Sequence, residues 1–251
     1  MAKKQRADHL VHAQGLAESR EQAKRLIMAG KVFMARGELP VRVDKPGQQL
    51  TPDMLFEIRG VERFVSRGGY KLLTAIEHFE LNVAGMVGLD AGASTGGFTD
   101  CLLQHGASRV YAVDVGHGQL HERMRTDARV INMERTNLRT AGPDLIPEKV
   151  DIVVADVSFI SLTKIIPPCL QFHRPQGLVV AMVKPQFELE PHQIGKGVVR
   201  DEELQLLAVK KITDFCRDEL GLICRGVVPS RIKGPKGNQE YLTLFESEPC
   251  A

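Results

Sequence analysis

The stretch Asp90-Ala91-Gly92-Ala93-Ser94-Thr95-Gly96-Gly97-Phe98-Thr99 follows the apolar run Val87-Gly88-Leu89 and puts a carboxylate ahead of three glycines. Glycines let a backbone approach a ligand closely, and a helix starting here would turn its amides toward a carboxylate or phosphate. Two classes of nucleoside-bearing cofactor suit such a loop. A dinucleotide site carries Gly-x-Gly-x-x-Gly with an acid about twenty residues further on. Here the order is Asp-x-Gly-x-x-x-Gly-Gly, with the acid first, and Asp114 ends the next strand, where a ribose ligand belongs in either class. Elsewhere, two lysines stand in conspicuous settings. Lys71 lies in Ser66-Arg67-Gly68-Gly69-Tyr70-Lys71-Leu72, just before the first strand of the expected sheet, and Lys184 ends the apolar run 178–183. Two acids accompany them: Asp156, after residues 150–155, and Glu240, in Gly237-Asn238-Gln239-Glu240-Tyr241. A lysine near another cation, or partly desolvated, can serve as a base near neutral pH.

The elements that must position these residues are legible as a change of texture. From Val83 onward, apolar runs at 86–90, 109–114, 150–155 and 178–183 read as strands, and segments 97–105, 161–170 and 201–220 read as helices between them. Such alternation builds a mostly parallel sheet with helices on both faces, and its chemistry sits at the carboxyl ends of the strands. The first sixty residues differ. Ser19 stands three residues before Gln22, a capping-box spacing that starts a helix over 20–29, and Gly30 stops it. Ala23, Leu26 and Ile27 give that helix an apolar face and leave Arg20, Lys24 and Arg25 outward or on its flank. Short strand-like runs at 31–34, 40–43 and 55–58 complete a small α+β unit.

Charge is unevenly spread. The net charge is only +2, yet Lys3, Lys4, Arg6, Arg20, Lys24, Arg25, Lys31 and Arg36 face only Asp8, Glu18 and Glu21, and a second basic stretch spans 231–236. The pattern Arg6-Ala7-Asp8-His9-Leu10-Val11, Gly15-Leu16-Ala17-Glu18-Ser19-Arg20, Ala23, Leu26-Ile27 and Gly30-Lys31-Val32 resembles the S4-like RNA-binding domain of ribosomal and RNA-modifying proteins. The resemblance implies a basic face, carried by Arg6, Arg20, Lys24, Arg25 and Lys31 and joined by Arg67, that contacts RNA phosphates without reading sequence.

The loop Asp90 to Thr99 resembles the first motif of RNA methyltransferases of the FtsJ kind. That implies S-adenosylmethionine as cofactor, bound by Asp90, Gly92, Ala93, Ser94, Thr95, Gly96, Gly97, Phe98, Asp114, Val115 and Asp156, with Asp90 and its neighbours at the amino-acid end and Asp114 on the ribose. The order Lys71, Asp156, Lys184, Glu240 resembles the catalytic tetrad of FtsJ-like ribose 2′-O-methyltransferases. It implies Lys184 as base, Asp156 steering it, and Lys71 and Glu240 orienting the ribose. Longer strings, Ser66 to Leu72, Asp114-Val115-Gly116-His117-Gly118-Gln119-Leu120, Asp156-Val157-Ser158-Phe159-Ile160-Ser161 and Val183-Lys184-Pro185-Gln186-Phe187-Glu188, are similar to the TlyA (hemolysin A) family of ribosomal-RNA methyltransferases. The family implies an S4-like domain over 1–60, a linker over 61–65, and a Rossmann-like methyltransferase domain over 66–251. It also implies a seven-stranded, mostly parallel sheet whose last strand is antiparallel, with cytidine 2′-hydroxyls of ribosomal RNA or ribosomal subunits as the substrate.

Other chemistry is disfavoured. The composition, 43% hydrophobic and 25% charged, is that of a globular protein, and the chain reads as cytoplasmic, without a membrane partner, and as a monomer or weak dimer. Five cysteines with no Cys-x-x-Cys pair argue against a disulfide scaffold or zinc knuckle. His117 and His121 have helical metal spacing but no third ligand, so no metal is expected. Asp156-Val157-Ser158-Phe159 lacks the proline pair of exocyclic-amine methylases. Cys169, thirteen residues past Asp156, reads as a packing residue rather than the nucleophile of a cytosine-carbon methylase. A membrane-active hemolysin would need a spanning or strongly amphipathic element, and none is visible. The remaining alternative is an RNA-binding protein without catalysis, against which the complete set of lysines and acids speaks.

Overall fold

The computed structural model describes residues 4–17, 19–35, 40–60, 62–195 and 197–247. Lys3, Glu18, Arg36, Val61 and Cys250 lie outside the described residues. The chain divides into two compact units, Met1–Arg63 and Phe64–Ala251.

In the first unit, helices Ala7–Ala13 and Arg20–Met28 pack beside a three-stranded antiparallel sheet in the order Val41–Arg42, Val32–Met34, Phe56–Ile58, and Gln5–Arg6 pairs with Gln49–Leu50. Ser19 Oγ accepts from the Gln22 amide at 3.2 Å, as the capping spacing predicts, and Ala23 and Ile27 are buried. Helix Ala7–Ala13 escaped the sequence reading because it is a short helix whose N-cap, Arg6, makes no side-chain cap. The expected outward basic edge is partly self-neutralised. The fully buried carboxylate of Asp8 accepts from Arg6 Nε at 3.0 Å and Nη2 at 2.9 Å and from Arg20 Nη2 at 3.4 Å, and Lys24 pairs with Glu21 at 2.8 Å. The Arg6 guanidinium holds the Asp8 carboxyl below the usual carboxylate range against the opposing effect of burial.

The second unit is built on seven strands: β1 (Val87–Ala91), β2 (Arg109–Val113), β3 (Val130–Met133), β4 (Val150–Ala155), β5 (His173–Val183), β6 (Leu222–Pro229) and β7 (Tyr241–Ser247), in the order β6-β7-β5-β4-β1-β2-β3. The pairs from β5 through β3 are parallel, and β7, the last strand, runs antiparallel to both β5 and β6, as the sequence reading expects. Successive residues of each central strand serve opposite cores. Leu89, Val153, Ala155, Val179 and Ala181 face one, with Leu162, Ile166, Ala208 and Ile212; Val110, Ile152, Val154, Val180 and Met182 face the other, with Leu72, Ala75 and Leu102. Burial on both faces is why these strands read as continuous apolar runs rather than alternating ones. The order reverses between β1 and β4, which opens a crevice beyond their carboxyl ends.

Two expectations need correction. Lys71, expected just before the first strand, lies well ahead of β1 in the first turn of a helix, Gly68–His78. Gly68-Gly69 disguises that helix start, although Leu72, Ala75 and Ile76 bury themselves at helical spacing. The single helix expected over 161–170 is a 3₁₀ turn, Leu162–Lys164, followed by helix Ile166–Leu170, because Pro167 and Pro168 supply no amide to the preceding turn.

A Cβ on Gly69 would lie 2.2 Å from Cγ of Phe64, a ring that is 1% exposed. Gly69→Ala is therefore expected to overpack the start of the helix that carries Lys71, destabilising the unit by about 1–3 kcal/mol. A thermal unfolding midpoint equal to the parent's would contradict this packing account.

Candidate active site

The loop after β1 is shaped by backbone conformations few side chains accept: Gly92 has φ +85° and Gly96 φ +90°, and Ser94 adopts φ +48° without being glycine. A Cβ on Gly96 would meet Leu120 and Met124 within 3 Å. The amides of Gly92 and Ala93 both donate to the Val113 carbonyl, at 2.9 and 3.1 Å, tying the loop to the end of β2. Asp90 is fully buried, and its Oδ2 accepts from the amide and hydroxyl of Thr99 at 2.9 and 2.6 Å, capping helix Gly97–Gln104 from within β1. Thus the helix amide that the sequence reading left for a ligand is partly served by Asp90 itself. Its other oxygen, Oδ1, is buried with no hydrogen-bond partner. Burial pushes this carboxyl up to about 7, with Thr99 opposing and the charges of Asp156 and Asp114 adding to the rise. Asp114 accepts from Ser94 N at 2.8 Å through Oδ2 and from Gly116 N at 2.7 Å through Oδ1, so it orders both flanking loops.

The four residues read from the sequence as a set converge. Glu240 Oε2 lies 2.6 Å from Lys71 Nζ, Lys71 Nζ lies 3.7 Å from Asp156 Oδ2, and Asp156 Oδ1 lies 2.8 Å from Lys184 Nζ. Signs alternate along this row, and the lysines are 8% and 6% exposed. Pairing of this kind offsets the desolvation that either ammonium would suffer alone. Lys184 Nζ also donates to Ser158 Oγ at 2.8 Å.

Two adjoining cavities meet here. One, of about 670 Å³, is lined by the glycine loop, Asp90, Phe98, Lys71, Asp156 and Lys184, with Arg67 and Lys233. The other, of about 540 Å³, is lined by Asp114, Val115, Gln119, Asn137, Leu138 and Phe159. Gly92, Ser94, Asp156 and Ser158 form the wall they share. Glu240, expected beside Lys71 at the ribose, is bonded to Lys71 but fully buried, and it lines neither cavity; it stands behind Lys71 and Gly234 of the first cavity's wall. Arg67 donates to the Lys233 carbonyl at 2.8 Å at the rim. Of the basic stretch 231–236, Arg231 pairs with Glu77, and Lys233, Gly234 and Pro235 line the first cavity.

A family model for FtsJ-like methyltransferases matches residues 64–247, and one for the S4 domain matches residues 5–33. The chain is 43% identical over 249 residues to the 16S/23S rRNA (cytidine-2′-O)-methyltransferase TlyA of Mycobacterium tuberculosis, spanning 99% of this chain and 92% of that protein. It is 40% identical over 246 residues to hemolysin A of Brachyspira hyodysenteriae, spanning 96% and 99%. The solved structure of a candidate hemolysin from Streptococcus thermophilus matches it at 43% identity and a TM-score of 0.72, over 99% of this chain and 91% of that one. This chain belongs to the TlyA family of FtsJ-like methyltransferases. It is accordingly a methyltransferase dependent on S-adenosylmethionine, with an S4 domain.

Within the family fold, Ser158, Gln119, Asn137, Leu138 and Lys233 are wall residues that the sequence reading missed. Only the Asp114 to Leu120 and Asp156 to Ser161 strings hinted at the first two, since neither residue type announces a role on its own. Cys169 is fully buried, and burial pushes its thiol up to about 12, which suits packing rather than attack. His121 Nδ1 accepts from the Arg123 amide at 3.1 Å and caps helix Glu122–Thr126, while His117 lies before that helix, 3.7 Å from Glu134. Among the described residues no helix is long and apolar enough to cross a membrane.

The raised Asp90 carboxyl has a thermodynamic signature. The folded protein holds this proton from about pH 4 up to about pH 7, where the unfolded chain has lost it, so the contribution to stability is full at the acid end and disappears as pH rises through about 7. Asp90→Asn, neutral throughout, should lose less thermal stability than the parent between about pH 5 and 8. Parallel melting-temperature profiles for the two proteins would refute the assignment.

Proposed function

We propose that this chain methylates a ribose 2′-hydroxyl of ribosomal RNA, at a cytidine, with Lys184 as the base that takes the hydroxyl proton. The observation that carries the reading is the placement of Lys184 Nζ: nearly dehydrated, 2.8 Å from Asp156 Oδ1, and in the wall of the cavity that the glycine loop closes. The substrate class is carried over from the 43% identical M. tuberculosis relative, whose name specifies cytidine 2′-O-methylation of rRNA. Residues 1–60 serve as the RNA-docking domain, 61–65 as the linker and 66–251 as the catalytic domain of an enzyme acting in the cytoplasm.

The residues present fit S-adenosylmethionine. A buried carboxylate oxygen without a donor, Asp90 Oδ1, complements an ammonium group, and Asp114, whose oxygens each keep a free lone pair after their amide contacts, can accept from ribose hydroxyls. Gly92 to Thr95, Gly97, Phe98 and Val115 line the space between and beside them, while Gly96 supports the loop against Leu120 and Met124. When bound, the cofactor supplies an activated methyl group on a sulfonium sulfur. The chain's own work is alignment and proton removal. After losing one proton to solvent, the neutral Lys184 Nζ accepts the proton from the 2′-oxygen, Asp156 stabilises the ammonium so re-formed, and Lys71, braced by Glu240 from behind, offers the hydroxyl's neighbourhood a positive charge. Arg25 and Lys31, which form no ion pair among the described residues, join Arg6, Arg20, Lys24 and Arg67 in supplying phosphate contacts.

Incubation of separated ribosomal subunits with labelled cofactor should place the label on a cytidine 2′-oxygen of ribosomal RNA; label on a base would defeat the proposal. Lys184→Ala should reduce methyl transfer by about 10²–10⁴-fold, the scale of a missing general base, while cofactor affinity stays within a few fold. Near-normal turnover by that variant would remove Lys184 from the mechanism. Arg25→Ala with Lys31→Ala should weaken RNA binding and flatten its dependence on log salt by about 0.7–0.9 for each phosphate no longer neutralised. An unchanged slope would count against docking through this face.

A further inference from the structure

We infer that Ser158 is a positioning residue for the proton transfer, restraining the orientation of the Lys184 amine from a loop that Glu188 clamps in place. This rests on the reading of Lys184 as the base. A neutral amine nitrogen is tetrahedral, with one bond to Cε, two N–H groups and a lone pair, and it rotates freely about Cε–Nζ unless its hydrogens are engaged. Lys184 Nζ lies 2.8 Å from two oxygens, but only Ser158 Oγ accepts a hydrogen bond from it; Asp156 Oδ1, at the same distance, is an ion-pair partner outside hydrogen-bond geometry. The directional contact that restrains rotation about Cε–Nζ is therefore the one to Ser158, and Lys184 and Ser158 share the wall of the first cavity. With the ion pair alone, the amine would keep that rotation.

Both oxygens come from the segment after β4, whereas Lys184 follows β5, so the geometry holds only if two loops keep their spacing. A second rung provides this. Glu188, 2% exposed, closes the short helix Pro185–Glu188 that begins immediately after Lys184. Its Oε2 accepts from Ser161 Oγ at 2.5 Å and its Oε1 from the Leu162 amide at 2.9 Å. Between the rungs the chain makes a left-handed turn at Phe159, φ +64°, which ends the Ser158 arm sharply. The two segments are thus pinned at Ser158–Lys184 above and at Ser161/Leu162–Glu188 below.

The test compares Ser158→Ala, Ser158→Thr, Glu188→Gln and Lys184→Ala in steady-state methylation, with cofactor Kd from calorimetry and thermal midpoints to verify folding. Ser158→Ala should lower kcat about tenfold or more, with KM for RNA and cofactor Kd within about twofold. Ser158→Thr, which keeps a hydroxyl, should recover most of the loss. Glu188→Gln should lower kcat in the same sense, and combining it with Ser158→Ala should add little, since both act through one geometry. A near-parental kcat for Ser158→Ala beside an inactive Lys184→Ala overturns the positioning role and leaves the base assignment standing. A fall in cofactor affinity that matches the fall in kcat also overturns it, because Ser158 would then be acting as a wall of the cofactor cavity. Near-normal turnover by Lys184→Ala fails the base reading itself, and the inference with it.

Discussion

In the row of alternating charges Glu240, Lys71, Asp156 and Lys184, the first acid and both lysines are buried while Asp156 keeps 18% of its side chain exposed, and the buried members are tolerable only because of their neighbours. Removing one partner from such a row leaves a buried charge uncompensated, a far larger penalty than an exposed ion pair is worth. The row is supplied by four separate places: the first turn of helix Gly68–His78, the ends of β4 and β5, and the approach to β7. The rest of the catalytic unit is arranged so that these places meet. The parallel pairing of β4 with β5 brings Asp156 and Lys184 side by side, and the antiparallel pairing of β5 with β7 brings Glu240 in behind them.

The glycine loop adds a second constraint of the same electrical kind. Asp90 is committed on one side to the helix that its own loop begins, and on the other side it keeps a buried oxygen with no donor. A carboxyl in that position favours its neutral form until a cation arrives, so the unpartnered oxygen and the raised proton affinity are two expressions of one demand for positive charge. Asp114 behaves differently because its oxygens already hold backbone amides, and its role in the loops is to fix their shape. Two carboxylates at the ends of neighbouring strands are thereby given unlike tasks by their surroundings.

The S4 unit shows how little a count of basic residues says about a binding face. Arg6 and Arg20 are held by one buried carboxylate, which neutralises part of their charge and at the same time holds their guanidinium groups in fixed places, while Lys24 is paired along its own helix. What a polyanion would meet is an ordered set of partly compensated cations, not a diffuse positive edge.

The sequence by itself determined the α/β architecture, the order of its motifs and the identity of the residues now found together, because apolar runs buried on both faces, glycines with positive φ and acids at strand ends each leave a local mark. The capping of Ser19 was equally legible, because its partner lies only three residues along the chain. Only the tertiary structure decided that Glu240 stands behind the cavity rather than in it, that Arg6 and Arg20 share Asp8, that Ser158 meets Lys184, and that Glu188 meets the segment Ser161–Leu162. Several of these relations join side chains 12 to 169 positions apart. Such relations follow from strand order and loop packing rather than from any local pattern, and so no spacing along the chain could have carried them.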